Sequence, residues 1–385
     1  MTALSDTFSL LQSQLSALAK DDKSTTLIEQ LITEGQLHHK ITWAGHMTPA
    51  IDQPALLGQL LAGLHNGNLL SSELYPQLAA IEQQLLDWFC QLFEQPFAHF
   101  THGSSYGNLD ALWQAREHAK NSSNTVYGSQ AAHYSIGKAC RILGLNFQAI
   151  PTNEFGEIDV KALRLACQLT PPMAIVATAG TSSCGMIDSI SACIAIAKEF
   201  NSWCHIDAAW GGALKLSLAH QHHLTGIAQA DSVCIDPHKA LGQPKPCSLL
   251  LYKQGLTNSS DAEVDYLTQS PKQSIGGSYG GELFLPLWSS LLISGKQSFS
   301  VRVNQRLEQA EQFALALKQH TNWWLLHSAT GIVCFRPSTA VDLSHLINIG
   351  LLSTAKVNGR EVYRVVFASH TSRSKPLITA LEPFF

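Results

Sequence analysis

Apolar residues recur at spacings of three and four through Leu4, Phe8, Leu11, Leu15 and Leu18, which predicts an amphipathic helix with a single apolar stripe. Leu27, Ile28, Leu31 and Ile32 predict a second, shorter helix. Neither helix can bury its stripe alone, so each is expected to pack on the body or on a second subunit. The stretch WAGHMTPAIDQPALLGQLLAGLHNGNLL reads as a loop, a helix and a loop, punctuated by Pro and Gly. After Pro76, Leu78, Ile81, Leu85, Trp88, Phe89 and Leu92 trace a strong helix.

From Phe100 the period changes. Gly103-Ser104-Ser105 opens a helix running to about Ala119, Thr125–Gly128 is a short strand, and Ser129–Leu143 is a helix with Ile136, Cys140 and Leu143 on one face. Ala174–Ala179 is an apolar strand, and the helix Ser189–Phe200 follows it. Then come a strand ending in Asp207, a loop of small residues, a polar connection and a second strand ending in His238-Lys239. Ser248–Tyr252 is a further strand. This alternation predicts an α/β fold with a mainly parallel, doubly wound sheet. Asn258–Gly281 is polar and rich in Gly and Ser, as in a surface loop. A long helix over Ser298–Lys318 leads to strands near Trp324–His327, Ile332–Phe335 and Val362–Phe367. The expected division is a helical segment over 1–75 that packs in a dimer, a large α/β domain over 76–297 and a small C-terminal α/β domain over 298–385.

Composition narrows the classes of function. The chain has 385 residues, 45% hydrophobic and only 14% charged, which suits a large core and some surface covered by a subunit interface. A net charge of −4 with no basic run argues against nucleic acid as partner. No apolar run approaches the ~18 residues of a membrane span. The polar start lacks the basic end and apolar block of a signal peptide. Nine Cys, scattered without a CxxC pair, fit a reduced, cytoplasmic setting.

Asp207 and Lys239 each stand just beyond a buried strand, where open α/β sheets bind ligands. A lysine there forms a Schiff base with an aldehyde cofactor, and a fixed carboxylate keeps a pyridine nitrogen protonated so that the ring takes up a carbanion's electrons. The pair therefore points to pyridoxal 5'-phosphate (PLP). Taken singly, each has a plainer reading: a surface lysine after a strand, and an aspartate capping a turn. Ala208, Ala209, Gly211 and Gly212 would let a flat ring approach the backbone. Ser104 and Ser105, at a helix start, offer an anion site for a phosphate, or simply an N-cap. His133 is either a cap or core histidine or an acid/base stacked on the ring. Thr181 and Ser182 reach the ring's substituents or begin a loop. His220, His222 and His223 lack a second ligand cluster at zinc spacing. Gly276, Gly277, Gly280 and Gly281 do not follow a strand, so they form no dinucleotide fingerprint.

The ordered set GSSYGNLDALWQAR, AAHYSIGKA, ATAGTSSCGMID, HIDAAWGGAL, ADSVCIDPHK and QPKPCSLLLY resembles the PLP-dependent group II amino acid decarboxylases of fold-type I. The resemblance spans roughly Trp43–Tyr252, resumes weakly at Val362–Thr371, and is strongest to the L-2,4-diaminobutyrate and glutamate decarboxylase branch. It implies that Lys239 holds the cofactor, Asp207 pairs with its nitrogen and His133 stacks on its ring. It places Ser104, Ser105 and His238 near the phosphate, and Ser182 and Ala209 along the ring. His46 and Thr48 would border the substrate pocket of a homodimer with shared active sites. Arg364 would bind the substrate carboxylate, or form an ordinary surface ion pair. The chain departs from the family in a short Leu267–Gly281 segment, where relatives carry a longer loop with a proton-donating tyrosine. Tyr279 stands at a different position, and Asp236 replaces the Asn of many relatives. The implied activity is decarboxylation of an amino acid such as L-2,4-diaminobutyrate or glutamate. The alternatives are another PLP-dependent lyase or a decarboxylation-coupled deaminase, and a non-catalytic paralogue acting as a partner or sensor.

Overall fold

The computed structural model describes residues 2–19, 21–255 and 274–385. Its main sheet is built from short segments, most of them buried on both faces because helices cover each side. In chain order these are β1 (Phe97–Thr101), β2 (Thr125–Ser129), β3 (Asn146–Ile150), β4 (Ala174–Thr178), β5 (Trp203–Asp207), β6 (Ser232–Ile235) and β7 (Ser248–Tyr252). The spatial order is β1-β7-β6-β5-β4-β2-β3. Only β7 is reversed, pairing antiparallel with both β1 and β6. Helices Ser104–Glu117 and Tyr134–Leu143 cover one face through Leu112, Ala115, Ile136 and Cys140. Pro76–Phe93, Val160–Leu169 and Ile190–Glu199 cover the other through Phe89, Leu163 and Ile194. The predicted mainly parallel, doubly wound α/β architecture is what the chain adopts.

The chain then forms a four-stranded antiparallel sheet of β8 (Trp324–His327), β9 (Ile332–Arg336), β10 (Ser353–Val357) and β11 (Arg360–Val366), ordered β10-β11-β9-β8. Helices Lys296–His320 and Ser374–Leu381 pack on it around Phe313, Phe335 and Phe367. Arg306, fully buried, fastens this sheet to the main one. It donates to Thr330 O (2.8 Å) and Phe367 O (3.3 Å) and lies 5.0 Å over the ring of Trp210, just beyond β5.

Several expectations need correction. The helix read as Ser129–Leu143 begins at Tyr134, because Ser129 still belongs to β2 and a turn follows. The strand read as ending at His238-Lys239 ends at Ile235, and Asp236–Lys239 closes a turn through Lys239 N–H to Asp236 O (3.0 Å). Gly211 and Gly212 serve packing between elements. A Cβ on Gly211 would lie 2.3 Å from Ala179 O, and one on Gly212 would lie 3.0 Å from the Ile235 side chain. The expected surface loop over 258–281 lies outside the described residues as far as 273.

The segment 43–50 crosses to the small sheet. Ala44 and Gly45 donate to Gly350 O, Val366 N–H donates to Ala44 O (2.7 Å), and Ala50 N–H donates to Ser369 Oγ (2.6 Å). Gly350, at φ +78°, has the Trp43 ring 2.2 Å from where a Cβ would stand. His46 and Thr48 are thereby carried to the end of β11 that bears Arg364.

Candidate active site

Residues two apart on a strand share a face, so Trp203, His205 and Asp207 of β5 all point toward helix Ser104–Glu117. Asn108, one turn into that helix and fully buried, meets them. Its Nδ2 donates to Asp207 Oδ2 (3.0 Å) and to Ser135 Oγ (2.9 Å), and its Oδ1 lies 2.9 Å from His205 Nε2. A carbonyl oxygen only accepts, so His205 carries its proton on Nε2. His205 Nδ1 then accepts from Ser232 Oγ (2.8 Å), which in turn accepts from Trp203 Nε1 (2.8 Å). Burial pushes the His205 pKa down to about 4 despite Asp207 nearby, so the ring is neutral near neutrality. Asp207 Oδ1 accepts the N–H of Ala209 (3.2 Å).

Ser135 hands the chain of bonds on. Its oxygen already accepts from Asn108, so its hydrogen goes to His133 Nδ1 (2.8 Å), which also accepts the Ser135 N–H (3.3 Å). His133 is therefore the N-cap of helix Tyr134–Leu143 rather than a first-turn residue. With Nδ1 occupied as an acceptor, the proton of the neutral ring sits on Nε2. Burial lowers its pKa, and Asp207, Lys239 and Asp236 all act on it.

Lys239 Nζ stands 3.1 Å from Asp236 Oδ2. Burial disfavours the ammonium, but Asp236 and Asp207 outweigh it and hold the pKa above the ordinary lysine value. Lys239, Asp207, Asp236 and His133 thus gather at the carboxyl ends of β5 and β6, with both aspartates acting on the lysine and on the histidine. Asp236 also accepts from Ser104 N (3.1 Å) and Ser104 Oγ (2.7 Å), so Gly103 rather than Ser104 is the helix N-cap. Complete burial pushes the Asp236 carboxyl up, but Lys239, His238 and Ser104 together hold it below the usual carboxylate range. His238 donates from Nδ1 to Cys247 O (2.7 Å) and turns Nε2 toward Asp236 (3.5 Å). Ser105 is exposed at the same helix start.

Arg364 is largely buried, and among the described residues no carboxylate pairs with it. The surface ion pair is therefore not formed. Its Nη1 donates to Ser182 O, its Nε to Ser353 Oγ (3.1 Å) and its Nη2 to Gly45 O (3.5 Å). His46 is exposed beside it, and Thr48 lies 3.5 Å from Lys245 Nζ. Tyr279 points elsewhere, its phenol donating to Glu82 (2.9 Å). Asn108, Ser135 and His205 were not singled out from the sequence. His205 was findable from the two-residue period before Asp207, and Asn108 from its place four residues after Ser104.

The sequence profile of the pyridoxal-dependent decarboxylase conserved domain matches residues 12–338. The chain belongs to this family. The chain is 27% identical over 352 residues to the aspartate 1-decarboxylase of Aliivibrio fischeri, covering 78% of this chain and 64% of that protein. It is 34% identical over 222 residues to the L-2,4-diaminobutyrate decarboxylase of Rhizobium meliloti, covering 54% and 45%. The chain thus spans less than two thirds of the length of these curated relatives. The crystal structure of Oryza sativa TDC with PLP superposes with a TM-score of 0.82 at 20% identity, covering 100% of this chain and 94% of that one, which shows a shared fold. The site suits the cofactor of this pyridoxal-dependent family: a buried amine, a fixed carboxylate and a helix start already holding an anion share one cleft.

Proposed function

We propose that this decarboxylase-family chain binds PLP through Lys239 and releases CO2 from the α-carboxylate of an amino acid, leaving the amine. The observation that carries this reading is that Asp207 and Lys239 stand at the carboxyl ends of the neighbouring parallel strands β5 and β6, close enough for the Asp207 charge to act on the Lys239 ammonium. When bound, the cofactor supplies an aldehyde that captures amines and a ring that accepts the electron pair left by CO2.

The chain's own residues divide the remaining work. Asp207, fixed by Asn108 and the Ala209 N–H, is placed to hold a proton on a ring nitrogen. Ser104, Ser105 and His238 would take the phosphate, with Asp236 yielding the Ser104 donors it holds. Ser182 and Ala209 would line the ring. His133 would lie on its face, neutral and with its proton on Nε2. Arg364 has five N–H donors and spends three on Ser353, Ser182 and Gly45. The two left, one on each terminal nitrogen, suit a bidentate grip on the substrate carboxylate. His46 and Thr48 would border the pocket, within a homodimer.

The test is reconstitution of the full chain with PLP. A visible absorption band should form that Lys239→Ala lacks, and CO2 and amine should appear in equal amounts from at least one amino acid. Aldehyde in place of amine would move the reading to decarboxylation-coupled deamination. A bound cofactor with no CO2 from acidic, dibasic or aromatic amino acids would defeat it.

A further inference from the structure

The rim of the cleft is cationic. Segment 43–48 carries two anchored cations: Arg364 on Gly45 O and Lys245 on Thr48 Oγ1, at 3.5 Å each. Gly45 and Thr48 are three residues apart, so their Cα atoms are at most about 11 Å from each other. Among the described residues, neither Arg364 nor Lys245 is paired with a carboxylate. The histidines between them feel the same field. His38 is pushed down by burial, then by Lys245 and His46, and His46 by burial and Arg364, with no acid opposing either. Asp236, the carboxylate beside Lys239, is buried and already engaged by Lys239, Ser104 and His238.

Resting on the decarboxylase reading above, we infer that the substrate is an amino acid with a second acidic group on its side chain, which Lys245 and Thr48 receive while Arg364 holds the α-carboxylate. Thr48 accepts from Lys245 and so keeps its own O–H to donate to that group. Two unpaired cations at one site repel a dibasic substrate, and a neutral aromatic side chain leaves Lys245 without a partner. An apolar cavity lined by Phe8, Leu11, Pro49, Ile51 and Leu56 adjoins Thr48 and Lys245. An aromatic ring would fit there, and it is the outcome that the experiment must exclude.

Binding separates this proposal from the reaction itself. The PLP-loaded full chain is titrated with succinate and with butyrate, neither of which can react. Succinate should bind about 3–5-fold tighter, the gap expected of one added ion pair at the exposed Lys245. Lys245→Met should remove that advantage, leave butyrate affinity within about twofold, and be rescued by Lys245→Arg. Equal affinities, or equal loss for both ligands in Lys245→Met, would overturn the proposal. In turnover, aspartate or glutamate should release CO2 while 2,4-diaminobutyrate and tyrosine do not. The reverse result would sink the acidic-substrate assignment and leave decarboxylation standing. A succinate preference that depends on Lys245, with no CO2 from any amino acid, would support the assignment and refute decarboxylation.

Discussion

Asn108 makes no contact with solvent, yet it joins three groups of the site. Its amide satisfies Asp207 and Ser135 as a donor and His205 as an acceptor, and no hydrophobic residue of similar size replaces those bonds. Asn108→Ala would leave several buried polar groups short of a partner, at about 1–3 kcal/mol for each. Urea denaturation should show a loss of roughly 2 kcal/mol or more, together with weaker retention of PLP on dialysis. Asn108→Asp should be worse still, because it sets a second carboxylate against Asp207. His205 supplies the pH dependence. Its folded pKa, lowered to about 4 by burial, lies below the ~6.5 of the unfolded chain, so the unfolded state binds the extra proton between those values. Stability is full above about pH 6.5 and is lost as pH falls toward 4, by up to ~1.4 kcal/mol per pH unit from this one ring. Denaturation curves at pH 6.5, 5.5 and 4.5 should therefore be flatter in His205→Gln than in the parent, and parallel curves would show that the ring does not set the slope.

At the scale of elements, the loops after β4 and β5 fix the cleft's floor by touching backbone to backbone. Gly211 donates to Ala179 O (2.9 Å), and a methyl at 211 would sit 2.3 Å from that same oxygen. Gly211→Ala must push the loop carrying Ala209 away from β4, at a cost of about 1–3 kcal/mol from overpacking. PLP affinity should fall more than in Gly144→Ala, whose Cβ meets nothing within 4 Å although its φ of +69° carries ordinary strain. The same elements show which parts of the fold were legible in the sequence. β4, written AIVAT, and β7, written SLLLY, are nearly all buried, and their apolar runs announce strands. β3, written NFQAI, is an edge strand with mostly exposed side chains, and β10, written STAKV, is an edge strand whose inward positions, Ser353, Ala355 and Val357, are too weakly apolar to stand out. Helix Val160–Leu169 is short and buries only Leu163 and Cys167. Lys239 and Asp207 were legible because chemistry restricts what can stand there, whereas Asn108, Ser135 and His205 act through other residues: strand and helix periods place Asn108 and His205 beside the site, but their bonds appear only in three dimensions.

The whole molecule leaves one helix with two incompatible faces. Gln53–His65 lies so close on Leu285–Ser294 that a Cβ on Gly58 would fall 2.5 Å from Leu285 O, and Ala55 and Ala62 line the same contact side. The outward side carries Leu57, Leu60, Leu61 and Leu64, at 49%, 55%, 44% and 86% exposure, and Leu292 and Ile293 of the next helix are also exposed. Leu11, Leu15, Leu27 and Leu31 of the first two helices are likewise left uncovered, as their unaccompanied stripes lead one to expect. Each leucine removed from water contributes roughly 1.5–3 kcal/mol, and patches of this kind on a folded chain mark interaction surfaces. A second copy of this chain is the expected cover, and sedimentation should give twice the mass of 41.9 kDa. Leu60→Asp combined with Leu64→Asp should shift the protein to monomers at micromolar concentration, because a carboxylate cannot be buried there unpaired. Its far-UV circular dichroism should stay unchanged, since both positions point away from the core. A parent protein that sediments as a monomer at all concentrations would refute the dimer, and a double variant that remains dimeric would place the interface on the first two helices instead.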